Sequence, residues 1–101
     1  MNFMIMVVQH PSIIQIRGKI ERKKEDILKV IGNVCRDIEI EIEEVKDGVD
    51  IYIPDVNVAR IVVSRMRKLF RGRVKMNMST KYAGMRKGKI RIVFVYSLRF
   101  I

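Results

Sequence analysis

The sequence has 101 residues, enough for one hydrophobic core and too few for two. Hydrophobic residues make up 49% of it, a proportion typical of a folded domain rather than a disordered segment. A single cysteine excludes an internal disulfide framework, and one cysteine with one histidine cannot supply the ligands of a protein zinc site. We therefore predict a single domain, residues 1–101, without metal or cofactor.

Residues 1–12 are interpreted as a leader or an extra strand. The apolar run 3–8 is six residues long and no Lys or Arg precedes it, so it lacks the features of a signal peptide or of a membrane span. Met1, Met4 and Met6 could each be the initiator. The lone cysteine points to a reducing compartment, and we predict a cytoplasmic protein with no membrane partner.

The first half of the sequence predicts a strand, a helix and a hairpin. Alternation at 13–17 indicates a strand that Gly18 ends, and apolar residues at helical spacing indicate a helix over roughly 21–37. Residues 38–43 alternate strictly between Ile and Glu, as in a half-buried strand. Asp47-Gly48 then predicts a type I′ turn, with Lys46 opposite Val49. This register places apolar residues on one face and acidic residues on the other. The core face carries Ile40, Ile42, Val49, Ile51 and Ile53; the other carries Glu39, Glu41, Glu43, Asp50 and Tyr52.

The second half predicts a helix and a second hairpin. Asp55 is the expected N-cap of a helix that runs to about Phe70 and ends at Gly72. Its buried side is predicted to hold Ala59, Val62, Val63, Met66, Leu69 and Phe70. Two alternating strands follow, joined by a short basic loop over 84–89. The order strand-helix-hairpin-helix-hairpin indicates an α+β fold, a largely antiparallel sheet with two helices on one face.

The charge is distributed very unevenly along the sequence. Residues 1–53 carry eight Lys and Arg against ten Asp and Glu, a balance of −2, whereas residues 54–101 carry thirteen against one, a balance of +12. An excess confined to half of one domain predicts a charged surface with a target, and a polyphosphate backbone is its commonest target. The candidate nucleic-acid-binding residues are Arg60, Arg67, Arg71, Lys75, Lys81, Arg86, Lys87, Lys89, Arg91 and Arg99.

Aromatic stacking platforms are few in this basic half. Tyr52 and Tyr82 are the expected exposed rings, since Phe94, Tyr96 and Phe100 align with the core. Recognition of the backbone and of shape is therefore favoured over the reading of single-strand bases. The helix is expected to lie on the opposite side of the sheet from the strand charges.

Nothing in the sequence indicates catalysis. Cys35 lies on the predicted apolar face of the first helix, and Glu39, Glu41 and Glu43 are spaced along a strand and do not converge as metal ligands do. Glycines 84 and 88 flank a hairpin loop and do not form a phosphate-binding loop. We expect a protein that is not an enzyme and has no small-molecule substrate.

Several segments resemble one known family. They are the run Ile14–Arg17, the block Val45–Tyr52, the residues Val58–Arg60 with their helix, and Ser79–Lys81 before the final strand 93–98. From Ile13 onward the sequence resembles the ribosomal-protein-like middle domain of the nonsense-mediated decay protein three family. The Asp47–Tyr52 part carries the most specific similarity.

That resemblance implies a protein that binds the large ribosomal subunit through ribosomal RNA and proteins, without enzymatic activity. The family's Cys-x-x-Cys zinc modules and barrel-like domains are absent from this sequence, so we expect an isolated module of the archaeal, stand-alone type. Nuclear export is not carried over.

Two alternatives stay open at this point. The first is an Alba-like archaeal chromatin protein, which the Asp-Gly hairpin between the helices argues against. The second is a protein–protein adaptor. In it, the acidic face formed by Glu39, Glu41, Glu43 and Asp50 would hold a basic ribosomal protein.

Overall fold

The computed structural model describes residues 11–86 and 88–101, and in them five strands and two helices follow one another in the predicted order. Residues 1–10 of the proposed leader lie outside the described residues, and Ser12 belongs to the first strand. The elements are β1 Ser12–Gly18, α1 Lys24–Val34, β2 Glu41–Val45, β3 Gly48–Ile53, α2 Val56–Leu69, β4 Val74–Arg86 and β5 Lys89–Phe100.

The strands form one sheet in the order β2-β3-β1-β5-β4. All neighbours are antiparallel except β1 and β5, which pair in parallel. The first strand is thus inserted between the two hairpins, and β2 and β4 are the edges. The fold is the predicted α+β class, with a largely antiparallel sheet.

Both helices pack on one face of the sheet. The core lies between them and the apolar rows of β1, β3 and β5, where Ile14, Ile51 and Leu98 have no exposed surface. Phe70, just after α2, meets Phe100 edge to face with ring centroids 5.0 Å apart. We call the opposite side of the sheet the far face.

No helix within 11–86 and 88–101 is long and apolar enough to cross a membrane.

Helix α1 is shorter than predicted, Lys24–Val34 rather than 21–37. The segment before it forms a turn, in which the Lys23 amide donates to the Ile20 carbonyl oxygen at 2.9 Å. Lys23 stands at the N-cap without a side-chain cap, which agrees with the lack of a capping residue in the sequence. Lys24 forms an ion pair with Glu44 and so joins the helix start to β2.

The middle hairpin has the predicted faces and a register that differs by two residues. The core prediction is wrong for Ile42, which is 46% exposed because β2 is a sheet edge. Val49 lies opposite Glu44 rather than the predicted Lys46, so Lys46 and Asp47 form the turn. Asp47 has a φ of 66° and is the one described non-glycine residue with positive φ, so this turn is not the predicted type I′. Gly48 instead sits in β3, where a Cβ would lie 2.0 Å from the Ile16 carbonyl oxygen. The glycine is required by its neighbour β1, not by the turn.

Helix α2 begins as predicted, with an Asp55 carboxylate oxygen that accepts from the Asn57 amide at 3.0 Å. Its predicted apolar side is buried except at Leu69, where the prediction is wrong because that side chain is 55% exposed. The helix ends at Leu69, and Phe70 in the following turn takes the buried position instead.

The last hairpin is longer than predicted. Strand β4 continues to Arg86 and β5 begins at Lys89, so most of the expected 84–89 loop is strand. A bulge interrupts the ladder between Tyr82 and Met85, where two residues of β4 face one of β5. Within the described part of the chain, Phe94–Phe100 of β5 pair with β1, and the rest of the hairpin projects beyond that pairing as a two-stranded ribbon.

Candidate nucleic-acid interface

The outer surface of α2 carries an exposed stripe of polar side chains. Arg60, Ser64 and Arg67 recur at helical spacing on the side of the helix next to β4, and Arg71 continues the row in the turn after the helix. The apolar side of the same helix, which includes Ala59, is buried in the core. This packing fixes the position of the stripe.

A groove of about 540 Å³ runs between this helix and the edge strand β4. Four cationic side chains line it, and the described lining residues include no carboxylate. The floor is formed in part by Met76 and Tyr96. The lining residues with a cation are Arg60, Arg67, Lys68 and Arg71. A concave surface with four cations and no internal counter-charge attracts a polyanion.

Arg60 is held in place at this groove. Its Nε donates to the Tyr96 hydroxyl oxygen at 3.1 Å, and Tyr96 itself is only 5% exposed. The bond uses one of the five guanidinium donors and leaves the others for a ligand. Arginine presents a planar fork that matches phosphate oxygens, so a positioned Arg60 is suited to a phosphodiester.

The predicted strand cations lie on the far face. Lys75 pairs with Arg99 across β4 and β5, and Lys81 pairs with Val93, all on the side opposite the helices. Arg91 belongs to the same alternating row of β5. The predicted basic residues therefore form two groups on opposite sides of the sheet, as expected from the sequence, and one flat ligand does not contact both.

The side chains of the predicted loop residues Arg86, Lys87 and Lys89 are outside the described structure. Lys87 lies outside the described residues, and for Arg86 and Lys89 only the backbone pairing at the end of the ribbon is described. The role of these three residues in binding nucleic acid stays a prediction.

The acidic residues of the middle hairpin, β2–β3, lie on the far face of the sheet. Glu41 lies opposite Tyr52 and Glu43 opposite Asp50, while Glu39 precedes β2 and is exposed. The Tyr52 hydroxyl donates to Glu43 Oε1 at 3.2 Å, and this bond, together with the nearby carboxylates, raises the pKa of Tyr52.

Asp50 is the buried member of that face, 8% exposed. Its Oδ1 lies 2.7 Å from Nη1 of Arg17, an ion pair without the alignment of a good hydrogen bond. Because Arg17 neutralises the Asp50 carboxylate, this residue joins β1 to β3 and offers little free charge to a partner.

The centre of the far face is not a continuous polar surface. Val95 lies there between Ile13 and Ser79, and it is only 2% exposed. This buried residue separates the acidic hairpin from the basic one.

Sequence reasoning missed three residues of the groove. Helical spacing would have found Lys68, which follows Ser64 by four residues. Alternation assigned Tyr96 to the core and Met76 to one side of its strand, and the position of α2 relative to β4 is what brings both to the groove.

Metal-ligand and thiol chemistry have little support in the described part of the chain. No three His, Cys, Asp or Glu side chains within 11–86 and 88–101 lie together as metal ligands would. Cys35 is buried, and burial raises the pKa of its thiol, which makes it a poor nucleophile.

Comparison with known proteins identifies the family. No curated protein matches the sequence. The family model described as NMD3, second domain, matches residues 9–100, which is nearly the whole sequence and includes both hairpins and both helices. The chain therefore belongs to the NMD3 second-domain family, as its resemblance indicated.

Proposed function

We propose that this protein is a non-catalytic RNA-binding module that associates with the large ribosomal subunit and contacts ribosomal RNA through its basic C-terminal half. Family membership supports the ribosomal association. The observation that carries the RNA contact is the groove between α2 and β4, with its four cations and the positioned Arg60.

The groove is the first of two RNA contacts, because the basic groups lie on opposite sides of the sheet. Arg67 and Arg71 would bind phosphates on the helix side, while Lys75 and Arg99 would act on the far face. A ribosomal RNA surrounds its proteins on several sides, so two opposed basic surfaces suit a module embedded in folded RNA better than one bound to a straight duplex.

The Alba-like alternative is not supported, because family membership and the β2–β3 hairpin between the helices both oppose it. The adaptor alternative has one observation in its favour. Strand β2 is a sheet edge with exposed Glu41 and Glu43, and an edge strand offers unpaired backbone groups to a partner.

A salt titration with matched variants tests the proposal. Binding to a structured RNA should weaken steeply with salt, and Arg67→Gln should lower the slope of log K against log salt by about 0.9, or one phosphate contact. Arg65→Gln is the control, because Arg65 lies on the same helix, is exposed and does not line the groove. The double variant Lys75→Gln/Arg99→Gln measures the far face separately.

The outcomes separate the candidates. Equal slopes for the Arg67 and Arg65 variants would remove the groove from the interface. If the far-face variant alone lowers the slope, RNA is bound by β4 and β5 only. If association with large subunits in a gradient survives all these variants and is lost on Glu41→Gln/Glu43→Gln, the partner is a basic protein and the adaptor reading is correct.

A further inference from the structure

The projecting hairpin carries a row of exposed apolar side chains that the basic surfaces do not account for. Tyr82 is 67% exposed, Met85 62% and Ile90 65%, so each presents most of its side chain to solvent. Met76, Met78 and Ile92 are also exposed. We call these six residues the apolar strip.

The strip lies on one side of the ribbon, the side of the helices. Met76 and Met78 pair with the core residues Leu98 and Tyr96, which fixes the face for the first part of β4. Tyr82 lies opposite Ile92, whose alternation continues from the same core row. The strip therefore starts at the core and continues along the ribbon beyond it, with Thr80, opposite Phe94, as a polar residue between Met78 and Tyr82.

The bulge in β4 keeps the row continuous. Alternation would send Met85, an odd-numbered residue, to the far face with Lys81. The extra residue between Tyr82 and Met85 shifts the parity, and Met85 comes to lie opposite Ile90 on the helix side. Gly84 makes the bulge, since its φ of 103° is outside the range that other residues adopt readily.

The strip is bounded by positive charge on both sides. Met76 lines the groove between α2 and β4, so the strip and the groove form one surface. Lys81 and Arg91 occupy the other side of the same two strands. After Asp55 the sequence contains no Asp or Glu. The surface thus combines cations with apolar area, without any carboxylate from its own elements.

We infer that groove and strip together bind unpaired nucleotides, with phosphates on the groove cations and base faces against the strip. This deepens the proposed function and rests on it. An unpaired strand has an anion and a flat apolar face in every unit, which is the combination that this surface matches. A duplex hides its base faces and would leave the strip in water. Recognition of backbone and shape was favoured from the sequence because exposed aromatic rings are few, whereas five of the six strip residues are Met or Ile.

Tyr82 is the residue that tests stacking most directly. It is the one aromatic of the strip, and it stands on the ribbon beyond the core, so its replacement leaves the packed core unchanged. Two RNAs are compared, an unpaired strand of about ten nucleotides and a closed stem of similar length, with melting curves that confirm the fold of each variant. Tyr82→Ala should weaken binding of the unpaired strand at least fivefold and leave stem binding within twofold. Tyr82→Phe, which keeps the ring, should restore the affinity.

The matched control is Ile61→Ala, since Ile61 is 47% exposed on α2 and lies off the strip. If Tyr82→Ala binds the unpaired strand like the wild type while Arg67→Gln weakens it, the strip inference is wrong and the proposed function stands. If the wild type binds neither RNA at low salt, the proposed function fails.

Proteins are the competing class of partner, because an amphipathic helix also covers apolar strips. A photoreactive benzoylphenylalanine in place of Tyr82 distinguishes the two in ribosome-containing lysate. Crosslinks to ribosomal RNA are expected, and crosslinks to protein alone would overturn the inference.

Discussion

The Nε of Arg60 on α2 donates to the hydroxyl oxygen of Tyr96 on β5 at 3.1 Å, across the inner end of the basic groove. The bond joins the second helix to β5, the strand that pairs with both β1 and β4. A core residue thereby sets the position of a surface cation, which links the packing of the fold to the shape of the interface.

Tyr96→Phe tests this link. The ring keeps its place in the core while the acceptor of the Arg60 bond is lost, and because the bond is only part-buried we expect a stability loss of about 1 kcal/mol by urea unfolding. RNA affinity should fall about twofold to fivefold, since the freed guanidinium must be ordered on binding. Arg60→Gln should lower affinity further, and the double variant should be no worse than Arg60→Gln alone. Additive losses would show that the tyrosine contacts RNA independently.

Faces of strands were predictable from the sequence, and registers were not. Alternation assigns each residue to one side of a sheet, and a shift by two residues keeps every side chain on its side. The middle hairpin shows this, because Val49 and Ile51 are buried as predicted although their partners differ. The decisive contact is that of Gly48 with Ile16 in another strand, which no local turn rule contains.

That contact gives a stability prediction with an internal control. Gly48→Ala places a Cβ 2.0 Å from the Ile16 carbonyl oxygen, so β1 and β3 must separate, and we expect a loss of about 3 kcal/mol or more. Gly32→Ala in α1 has no neighbour within 4 Å, and it should stabilise by about 0.5–1 kcal/mol through helix propensity. Urea unfolding of both variants gives the two free energies. An Ala at position 48 that is tolerated without loss would contradict the register.

The site was partly predictable for a similar reason. Helical spacing gives the arginine stripe, which is confirmed as exposed at Arg60 and Arg67 on α2 and at Arg71 in the turn after it. It does not give the groove, because that depends on which strand lies beside the helix. Likewise the parity change at the bulge depends on Gly84, and simple alternation puts Met85 on the wrong face.

The Tyr52–Glu43 bond predicts a pH effect. The pKa of Tyr52 is raised, first by the hydrogen bond to Glu43 and then by the charges around it. A raised folded-state pKa means that the contribution of this bond to stability is present below the unfolded pKa of about 10 and is lost as pH rises through the folded value. Glu43→Gln should therefore lower the pKa of Tyr52, measured by titration of its ring resonances in NMR spectra. Glu39→Gln should leave it unchanged, because the carboxylates that raise this pKa are those of Glu43, Asp50 and Glu41. Equal titration of Tyr52 in all three proteins would show that the bond does not form in solution.

The end of the ribbon gives the prediction that bears on the whole basic half. Changing Arg86, Lys87 and Lys89 together to Ser removes three cations from the hairpin end, and because that end projects beyond the strand pairing with β1, the fold should keep its stability. RNA affinity should weaken by a few kcal/mol at moderate salt, at about 1 kcal/mol or less per lost phosphate contact.

The salt slope of the same variant distinguishes contact from general charge. If all three side chains reach phosphates, the slope falls by up to about three, whereas a distant effect of net charge changes the intercept and little of the slope. The charge-reversing control is Glu39→Gln/Glu41→Gln/Glu43→Gln, which raises the net charge by the amount that the loop variant lowers it. Removing these carboxylates should leave RNA affinity unchanged or raise it, because they stand on the acidic hairpin and repel phosphate. Ribosome association that is abolished by the glutamate changes and untouched by the loop changes would assign the interface to the acidic hairpin and to a basic protein partner.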